Sequence, residues 1–456
     1  MLTQRSEVSN RQPTSKDFQE SLCPHCLRRV PASKTEEGNN IYIHRTCPEH
    51  GDIERVLIWK NDLIPFEIWT KPRGEVHGLP SCSCCGRPPA SDRDTVLGSN
   101  CPYDCGICPQ HQQRTCSVII EVTSRCNLRC PVCFIDVPDN CPTDPDVDQI
   151  ERILKNVQQS AGDAPIQLSG GEPTLRDDLP EIIHRAHTLG FGHIQVNTNG
   201  IRIAEDFAYA EAMREAGVTD YFLQFDGVND VVYRKMRGRD LFSLKEAAIQ
   251  AAAKLHTAVI LVPTLVKGVN DEQIGAILKF AKLWMPTVKG VHFQPMAYLG
   301  RYPKPPRNED RILIPDVLAA IEAQTDGELV VENFIPSACE DPRCSFSALA
   351  VLSEDGNLVP VTRIDRASVR GANAAEKSIA YVRRHWKYPA TGGTELYPDM
   401  ERIRNYSLCV SGMAFQDAWN IEINRLQRCC VHVAASDSRL VPFCAYYLTN
   451  AHGQRL

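Results

Sequence analysis

The sequence predicts an α/β fold centred on a partial (β/α)6 barrel, with a metal-binding ribbon before the barrel and a cysteine-rich domain after it. Three observations predict this order. Six apolar runs alternate with amphipathic stretches over residues 117–300, two short cysteine motifs (CPHC and CPEHG) lie near the N terminus, and cysteines return where the alternation fades. Alternating strands and helices favour parallel strands joined by right-handed crossovers.

Composition limits both the location and the class of protein. The chain has 456 residues, a formal net charge of −6 and 20 cysteines. The acidic balance argues against nucleic acid as a partner, and no run approaches the ~18 apolar residues of a membrane helix. The polar start MLTQRSEVSN lacks the apolar core of a secretory signal. We therefore expect a cytoplasmic protein, in which disulfides are rare and clustered cysteines indicate metal binding.

Two regions precede the barrel: residues 1–20, a predicted disordered tail, and residues 21–80, a predicted metal region. The spacing of the two motifs is typical of a zinc ribbon or a rubredoxin-like site, where four ligands hold one zinc or iron ion tetrahedrally. The predicted ligands are Cys23, Cys26, Cys47 and His50. The fourth ligand stays open between His50 and three later cysteines, Cys82, Cys84 and Cys85.

Two cysteine triplets of identical spacing follow in tandem. The first, Cys101, Cys105 and Cys108, lies in residues 81–116, ahead of the first barrel strand. This spacing suits three corners of an iron–sulfur cube. With Cys116 or a cysteine of the C-terminal domain as fourth ligand, the segment would hold an auxiliary 4Fe–4S cluster, and a structural zinc ion is the alternative.

The barrel, residues 117–300, contains six predicted strands. Their sequences are SVIIEV, IQLSG, IQVNTN, YFLQFDG, AVILVPTL and GVHFQPM. Amphipathic helices are predicted between them; in one, Ile150, Ile153, Leu154 and Val157 share a face. In such a barrel the chemistry lies at the C-terminal ends of the strands.

The second triplet, Cys126, Cys130 and Cys133, follows the first barrel strand directly, in RCNLRCPVCF. This arrangement resembles the radical S-adenosylmethionine (SAM) superfamily, in which three cysteines hold a 4Fe–4S cluster whose open iron chelates SAM. The resemblance implies that these cysteines are catalytic and that SAM is cleaved reductively to a 5′-deoxyadenosyl radical. Many members carry an aromatic residue before the last cysteine, whereas this chain has Val132 there and Phe134 after it.

A second motif, LSGGEPTL, ends the second strand and is similar to the superfamily's segment that receives the methionine amino group. It comprises Ser169, Gly170, Gly171, Glu172 and Pro173. Glycines permit close backbone approach, and a carboxylate accepts hydrogen bonds from an ammonium group.

Polar residues at the ends of later strands are further candidates for contacts with SAM or substrate. They are Asn197, Thr198 and Asn199 on strand three, Gln224 and Asp226 on strand four, and Gln294 and Pro295 on strand six. The alternative is that these side chains satisfy backbone groups of the loops.

Residues 301–456 form the predicted cysteine-rich C-terminal domain, packed against the mouth of the barrel. A third cluster is predicted there on Cys339, Cys344, Cys430 and Cys444, with Cys409 and Cys429 nearby.

The order of all these motifs, together with the block SGMAFQDAWNIEINRLQRCCVHV, is similar to the archaeal tetraether lipid synthases and their bacterial relatives, a group that includes radical C-methylases of the pterin type. The resemblance implies one or two auxiliary 4Fe–4S clusters and one mononuclear zinc or iron site. It favours carbon–carbon coupling between lipid chains, after hydrogen abstraction from an unactivated carbon. C-methylation of a pterin or another small molecule is the alternative, and a non-catalytic electron-transfer protein is the alternative of another class.

The expected partners are a lipid or small-molecule substrate and an electron donor such as flavodoxin or ferredoxin. A lipid substrate would add peripheral contact with a membrane. The sequence suggests a discriminating feature: lipid coupling calls for a long apolar cleft, whereas methylation of a heterocycle calls for a compact polar pocket.

Overall fold

The structure is a computed structural model. It describes residues 18–62, 64–70, 101–103, 107, 111–136, 143–336, 339–363, 374–389 and 398–456. The predicted ligands Cys105 and Cys108, the alternative ligands Cys82, Cys84 and Cys85, and most of the predicted N-terminal tail lie outside these ranges.

The N-terminal region is an antiparallel four-stranded sheet in the order β1-β2-β3-β4. Its strands are β1 (Phe18–Leu22), β2 (Arg29–Glu37), β3 (Asn40–Cys47) and β4 (Gly51–Lys60), and helix α1 (Phe66–Thr70) follows. Two tight turns, between β1 and β2 and between β3 and β4, carry the two cysteine motifs. The predicted metal region therefore folds as a ribbon with both motifs at one end.

All six predicted barrel strands are present and parallel. They are β5 (Ser117–Thr123), β6 (Ile166–Gly170), β7 (Ile194–Thr198), β8 (Asp220–Gln224), β9 (Ala258–Val262) and β11 (Val288–Pro295), with the short β10 (Thr264–Leu265) beside β11. The intervening helices are α2 (Val147–Ala161), α3 (Leu179–Thr188), α4 (Ile201–Glu205), α5 (Phe207–Ala216), α6 (Asp230–Arg237), α7 (Phe242–Lys254) and α8 (Ile274–Leu283), and α9 (Ile314–Gln324) follows β11.

Helix α2 shows why these segments fold as they do. Asp146 caps its first turn by accepting from the backbone N–H of Gln149, whose side chain bonds back to the backbone of Asp146. Ile150, Leu154 and Val157 are buried against the sheet, so the predicted apolar face is the packing face.

The C-terminal residues do not form a separate domain, because they extend the same sheet at both edges. Strand β14 (Ser407–Met413) pairs in parallel with β11, and β15 (Val431–Ala434) pairs in parallel with β5. The remaining elements are β12 (Ser345–Leu352), β13 (Leu358–Pro360), α10 (Ala374–His385), α11 (Pro398–Asn405), α12 (Ile423–Leu426), β16 (Leu440–Pro442) and α13 (Phe443–Tyr446). The sheet runs from β13 at one edge to β16 at the other, and no closed barrel forms in the described part of the chain.

Helix α10 lies across the N-terminal ends of the parallel strands. Arg383 bonds to Asp163, ahead of β6, at 2.7 Å, and Glu376 pairs with Arg114, ahead of β5. Just beyond the helix, Tyr388 stacks on His256, ahead of β9, with ring centroids 5.0 Å apart. The helix thus closes the end of the half-barrel opposite the C-terminal ends of the strands.

None of the helices in the described ranges is long and apolar enough to span a membrane. We call the parallel strands β5–β9 and β11, together with the helices between them, the half-barrel.

Candidate active site

The cysteine loop, residues 124–136, leaves the C-terminal end of β5 as predicted. Its three cysteines, Cys126, Cys130 and Cys133, are partly buried and line one cavity. The backbone of Cys133 exchanges two hydrogen bonds with Arg301, at 3.0 and 2.8 Å, which fixes the far end of the loop.

The glycine turn of the LSGGEPTL motif docks directly on the start of the cysteine loop. The backbone N–H groups of Gly171 and Glu172 donate to the carbonyl oxygens of Thr123 and Arg125, at 2.8 and 2.7 Å. A Cβ on Gly170 would lie 2.0 Å from the Thr123 oxygen, and one on Gly171 would lie 2.1 Å from the Arg125 oxygen. The two glycines are therefore required for backbone packing as well as for their place on the cavity wall.

Glu172 has a structural role in addition to its predicted contact with the SAM ammonium group. Its carboxylate is 2% exposed and accepts from the Thr174 hydroxyl at 2.6 Å, the Thr198 hydroxyl at 2.7 Å and the Asn199 backbone N–H at 2.7 Å. These bonds tie the glycine turn to the end of β7. Glu172 thus positions the site, and it lines the cavity together with Ser169, Gly170 and Gly171. Its contact with the SAM ammonium group stays a prediction.

The other polar candidates divide into two groups. Those that line the cavity are Asn197, Thr198, Asn199, Gln224, Gln294 and Pro295. Asp226 instead lies behind the cavity wall, where it accepts two hydrogen bonds from Arg237, at 2.7 and 2.8 Å. Pro173 begins a short 3-10 turn, Pro173–Leu175, behind the glycines. The SAM contacts assigned to the lining residues remain predictions.

Arg237, which the sequence analysis missed, connects this buried carboxylate to the cysteine loop. It is anchored by Asp226, which is fully buried, and lies close enough to Cys130 for the two side chains to interact electrostatically. A buried cation beside a thiolate favours the more negative, reduced state of a cluster. Arg237 is the last residue of α6, where basic residues are common, so the sequence alone gave no reason to connect it with the cysteine loop.

Lys245 completes this buried network from helix α7. Its Nζ donates to the Asn199 carbonyl at 2.5 Å and to the Gln224 side-chain oxygen at 2.9 Å. Burial lowers the pKa of Lys245 to about 7. The lysine therefore orients two of the predicted cofactor-binding residues from outside the cavity.

The ribbon site matches a single tetrahedral ion. Cys26 Sγ lies 3.8 Å from Cys47 Sγ, and His50 Nδ1 lies 3.6 Å from Cys23 Sγ and 3.5 Å from Cys47 Sγ. A tetrahedral zinc, with Zn–S of about 2.3 Å and Zn–N of about 2.0 Å, separates its ligands by about 3.8 Å (S···S) and about 3.5 Å (S···N). The four predicted ligands thus fit zinc, and they lie outside the residues that line the cavity.

The structure regroups the cysteines predicted for the auxiliary clusters. Cys116, Cys339 and Cys430 place their sulfur atoms within 4.8 Å of one another. The cause is strand pairing: β15 begins beside β5, so Cys116 and Cys430 precede two neighbouring strands, and the Cys116 N–H donates to the Cys430 carbonyl at 2.8 Å. Cys116 therefore belongs with C-terminal cysteines.

The other two predicted members, Cys344 and Cys444, lie elsewhere, near Cys429. Burial, followed by the charges of Cys444 and Cys344, raises the pKa of Cys429 well above its usual value. Of the predicted set of Cys339, Cys344, Cys430 and Cys444, only Cys339 and Cys430 therefore lie within the close group of sulfur atoms. Cys409 lies apart from both, on β14, where it accepts from the Tyr381 hydroxyl at 3.3 Å. Cys101 packs against the apolar cluster that contains Cys444.

The cavity fills the half-barrel between the cysteine loop and α10. Its volume is about 530 Å³. Side chains from β5 to β11, from β14 and from α10 line it, so the C-terminal strand and helix contribute walls that the sequence analysis did not predict. Pockets for small molecules usually measure ~300–1,000 Å³.

Comparisons with known proteins agree with this site. A sequence model described as the radical SAM superfamily matches residues 120–281, and one described as the HMPTM N-terminal zinc ribbon domain matches residues 17–60. The chain is 34% identical to the 7,8-dihydro-6-hydroxymethylpterin dimethyltransferase of Methanocaldococcus jannaschii, over 93% of this chain and 92% of that protein.

More distant similarities are confined to part of the chain. It is 28% identical to a "Probable GTP 3′,8-cyclase" of Methanothermobacter thermautotrophicus, over 38% of this chain and 56% of that protein. The crystal structure of Streptococcus suis SuiB bound to precursor peptide SuiA overlaps with a TM-score of 0.39 and 16% identity, covering 47% of this chain and 46% of that one.

The fold and the cysteine loop define a radical SAM enzyme, which uses a 4Fe–4S cluster and SAM. Within that superfamily, the chain belongs to the family of the M. jannaschii dimethyltransferase, with which it aligns over nearly its whole length. The predicted superfamily, the predicted resemblance to radical C-methylases of the pterin type and the predicted zinc ribbon are confirmed.

The donor set fits the cluster. Cys126, Cys130 and Cys133 come from one short loop, are partly buried and line the same cavity, so they can supply three thiolate ligands to one cluster. When bound, the cluster and SAM supply the 5′-deoxyadenosyl radical. The chain contributes Cys126, Cys130 and Cys133 as ligands and Arg237 as the buried positive charge beside them.

Gly171→Ala should destabilise the protein, because the added methyl group collides with the backbone of the cysteine loop. We expect a loss of about 1–3 kcal/mol in the free energy of unfolding. Iron content after anaerobic reconstitution should fall as well. Gly192→Ala is the matched control, since its nearest neighbour would lie 3.7 Å away. Equal stability and iron content in the two variants would contradict the docking role of Gly171.

His50→Ala should lose the ribbon metal, because it removes one of four ligands. Metal analysis by mass spectrometry should then find less zinc, while the iron of the cysteine loop remains. His44→Ala on the same ribbon sheet serves as the control and should keep its zinc. Full zinc content in His50→Ala would mean that the fourth ligand lies elsewhere in the chain.

The double variant Asp226→Asn/Arg237→Gln should make the cluster harder to reduce, because the guanidinium that contacts Cys130 loses its charge. Changing both partners avoids leaving one buried charge unpaired, which costs ~3–5 kcal/mol. A redox titration followed by electron paramagnetic resonance should show a more negative potential, by on the order of tens of millivolts.

Arg234→Gln is the control for this pair, because Arg234 lies on the same helix and forms an exposed ion pair with Asp240. A potential that is the same in the double variant and in wild type would show that Arg237 does not tune the cluster.

Proposed function

We propose that this enzyme catalyses radical C-methylation of a pterin or a closely related bicyclic heterocycle. The observation that carries the proposal is the cavity beside the cysteine loop, which has the size of a small-molecule pocket and carries a group of side-chain amides on a largely apolar wall. The name of the M. jannaschii relative, a dimethyltransferase of 7,8-dihydro-6-hydroxymethylpterin, supports the same substrate class.

The cavity argues against the lipid-coupling hypothesis favoured by the sequence analysis. Coupling two lipid chains needs a long apolar cleft, whereas this cavity of about 530 Å³ is closed at one end by α10 and carries amide groups on its wall. An acyl chain would offer no partner to the donors and acceptors of those amides that the wall itself leaves unused, at a cost of ~1–3 kcal/mol for each buried group. The methylation alternative therefore replaces lipid coupling as the proposed reaction.

Different parts of the chain would have different roles in this reaction. The cysteine loop holds the cluster, and the glycine turn keeps that loop at the carboxyl ends of the strands. Asn199 and Gln224 would contact SAM, and their bonds to Lys245 support this role by orienting them. Helix α10 excludes water from the opposite end, which protects a radical from quenching.

Methylation can be tested in an anaerobic bacterial extract that supplies any further co-substrate. The extract is given purified, reconstituted enzyme, SAM, dithionite and 7,8-dihydro-6-hydroxymethylpterin. Mass spectrometry should detect pterins heavier by one or more methylene units with wild type. Cys126→Ala is the control, because it lacks one cluster ligand and should give neither methylated pterin nor 5′-deoxyadenosine.

The lipid fraction of the same extract separates the alternatives. Unmodified pterins together with newly coupled lipid chains would contradict the proposal and restore the lipid hypothesis. An absence of 5′-deoxyadenosine above the Cys126→Ala background would contradict radical chemistry altogether.

A further inference from the structure

The half-barrel carries a row of side-chain amides on its inner face. The Gln195 amide donates to Asn197 at 2.9 Å, Asn197 donates to Gln167 at 3.0 Å, and Gln167 donates to the Ser117 hydroxyl at 2.9 Å. The four residues form one chain of hydrogen bonds across β5, β6 and β7. We call Gln167, Gln195 and Asn197 the amide row.

The hydrogen bonds of the amide row hold its side chains in place and all run in one direction, from Gln195 toward Ser117. Each bond uses one N–H of an amide group, and each amide has two N–H groups and an oxygen with two lone pairs. The row therefore keeps both donors and acceptors that its own bonds do not use, and all three residues line the cavity. Strand register fixes the order, since Gln167 is paired with Gln195.

An aromatic wall adjoins the amide row on the same face. Phe222 is the register partner of Asn197 and stacks on Trp386, with ring centroids 5.9 Å apart and an interplanar angle of 26°. His292 meets Trp386 edge-on at 5.9 Å and lies 2.9 Å from the Ser411 hydroxyl through Nδ1. Phe222, His292 and Trp386 are the aromatic wall.

Both surfaces are uncharged. Burial lowers the pKa of His292 to about 4, so its imidazole is neutral near neutral pH. The amide row and the aromatic wall therefore offer flat apolar contact beside a donor and acceptor pattern, without a charge to attract a phosphate or a carboxylate. Flat rings stack on aromatic side chains, and amide groups match a lactam or amidine edge.

We propose that the amide row and the aromatic wall form the substrate subsite, which binds a neutral, planar, bicyclic heteroaromatic ring. The row holds the edge of the ring that alternates donors and acceptors, and the wall covers its face. The opposite edge then points toward the cysteine loop at the C-terminal ends of the strands. This inference rests on the proposed function and deepens it by assigning the residues that select the ring.

The position of His292 in the aromatic wall also depends on a glycine. A Cβ on Gly290 would lie 3.0 Å from the Cys409 carbonyl and 3.4 Å from Ile260. Gly290 precedes His292 on β11 and lines up with Cys409 on β14. Its lack of a side chain lets β14 approach closely, and β14 in turn brings Ser411 to His292.

The test is equilibrium binding of 7,8-dihydro-6-hydroxymethylpterin to the reconstituted enzyme, measured by anaerobic dialysis. Gln195→Leu should weaken binding by about tenfold, because a ring polar group loses its partner. Trp386→Leu should weaken it to a similar extent, and Trp386→Phe should restore most of the affinity because it keeps an aromatic face. Iron content and melting temperature show whether each variant is folded and loaded.

Gln158→Leu is the matched control, because Gln158 lies on the outer helix α2 and is exposed. Its affinity should equal that of wild type. If Gln195→Leu does not accumulate as folded protein, Phe222→Leu tests the same subsite from the aromatic wall and should also weaken binding.

The outcomes separate this inference from the proposed function. Wild-type affinity in folded Gln195→Leu and Trp386→Leu, together with pterin methylation by wild type, would overturn the subsite and leave the function standing. Neither binding nor methylation of the pterin by wild type would overturn both.

Discussion

The backbone contact between the glycine turn and the cysteine loop is the constraint on which the site depends. Two hydrogen bonds, from Gly171 and Glu172 to the carbonyl groups of Thr123 and Arg125, join β6 to the loop that holds the cluster ligands. Glu172 then ties the same turn to Thr198 and Asn199 at the end of β7. These bonds between the glycine turn and its neighbours therefore fix the position of the cysteine loop, and with it Cys126, Cys130 and Cys133, relative to strands β5, β6 and β7.

The C-terminal third of the chain supplies the remaining walls of the cavity in the half-barrel, which we also call the chamber. Strand β14 extends the sheet beyond β11, β15 extends it beyond β5, and α10 crosses the opposite end. The ribbon packs against the same C-terminal part, where Lys34 pairs with the buried Glu422 at 2.8 Å. The four ribbon ligands themselves lie outside the residues that line the cavity.

Much of this could be predicted from sequence, for physical reasons. Continuous apolar runs marked the six barrel strands, and motif spacing marked both the ribbon ligands and the cysteine loop. The pairing of Cys116 with Cys430 could not be predicted, because strands β5 and β15 are far apart in the chain and β15 is short. Glu172 matched a cofactor motif, and only its hydrogen-bond partners reveal a positioning role.

The amide row did leave a signal in the sequence. Side chains on a strand alternate between faces, so Gln167 and Ser169 share one face of β6, and Gln195 and Asn197 share one face of β7. Polar residues at every second position of otherwise apolar strands indicate that one face of the sheet lines a polar cavity. The sequence of α10 did not indicate that this helix lines the cavity. Its position depends on contacts with Asp163 and Arg114, which precede β6 and β5 and are far away in the chain.

The central claim is that the half-barrel is a chamber for a flat heterocycle next to a cluster held by Cys126, Cys130 and Cys133. The most direct measurement is a crystal structure of the anaerobically reconstituted enzyme with SAM and 7,8-dihydro-6-hydroxymethylpterin. We predict the pterin ring between the amide row and the aromatic wall, with SAM between the ring and the cysteine loop. A pterin bound outside the half-barrel, or an acyl chain occupying the chamber in its place, would contradict the claim.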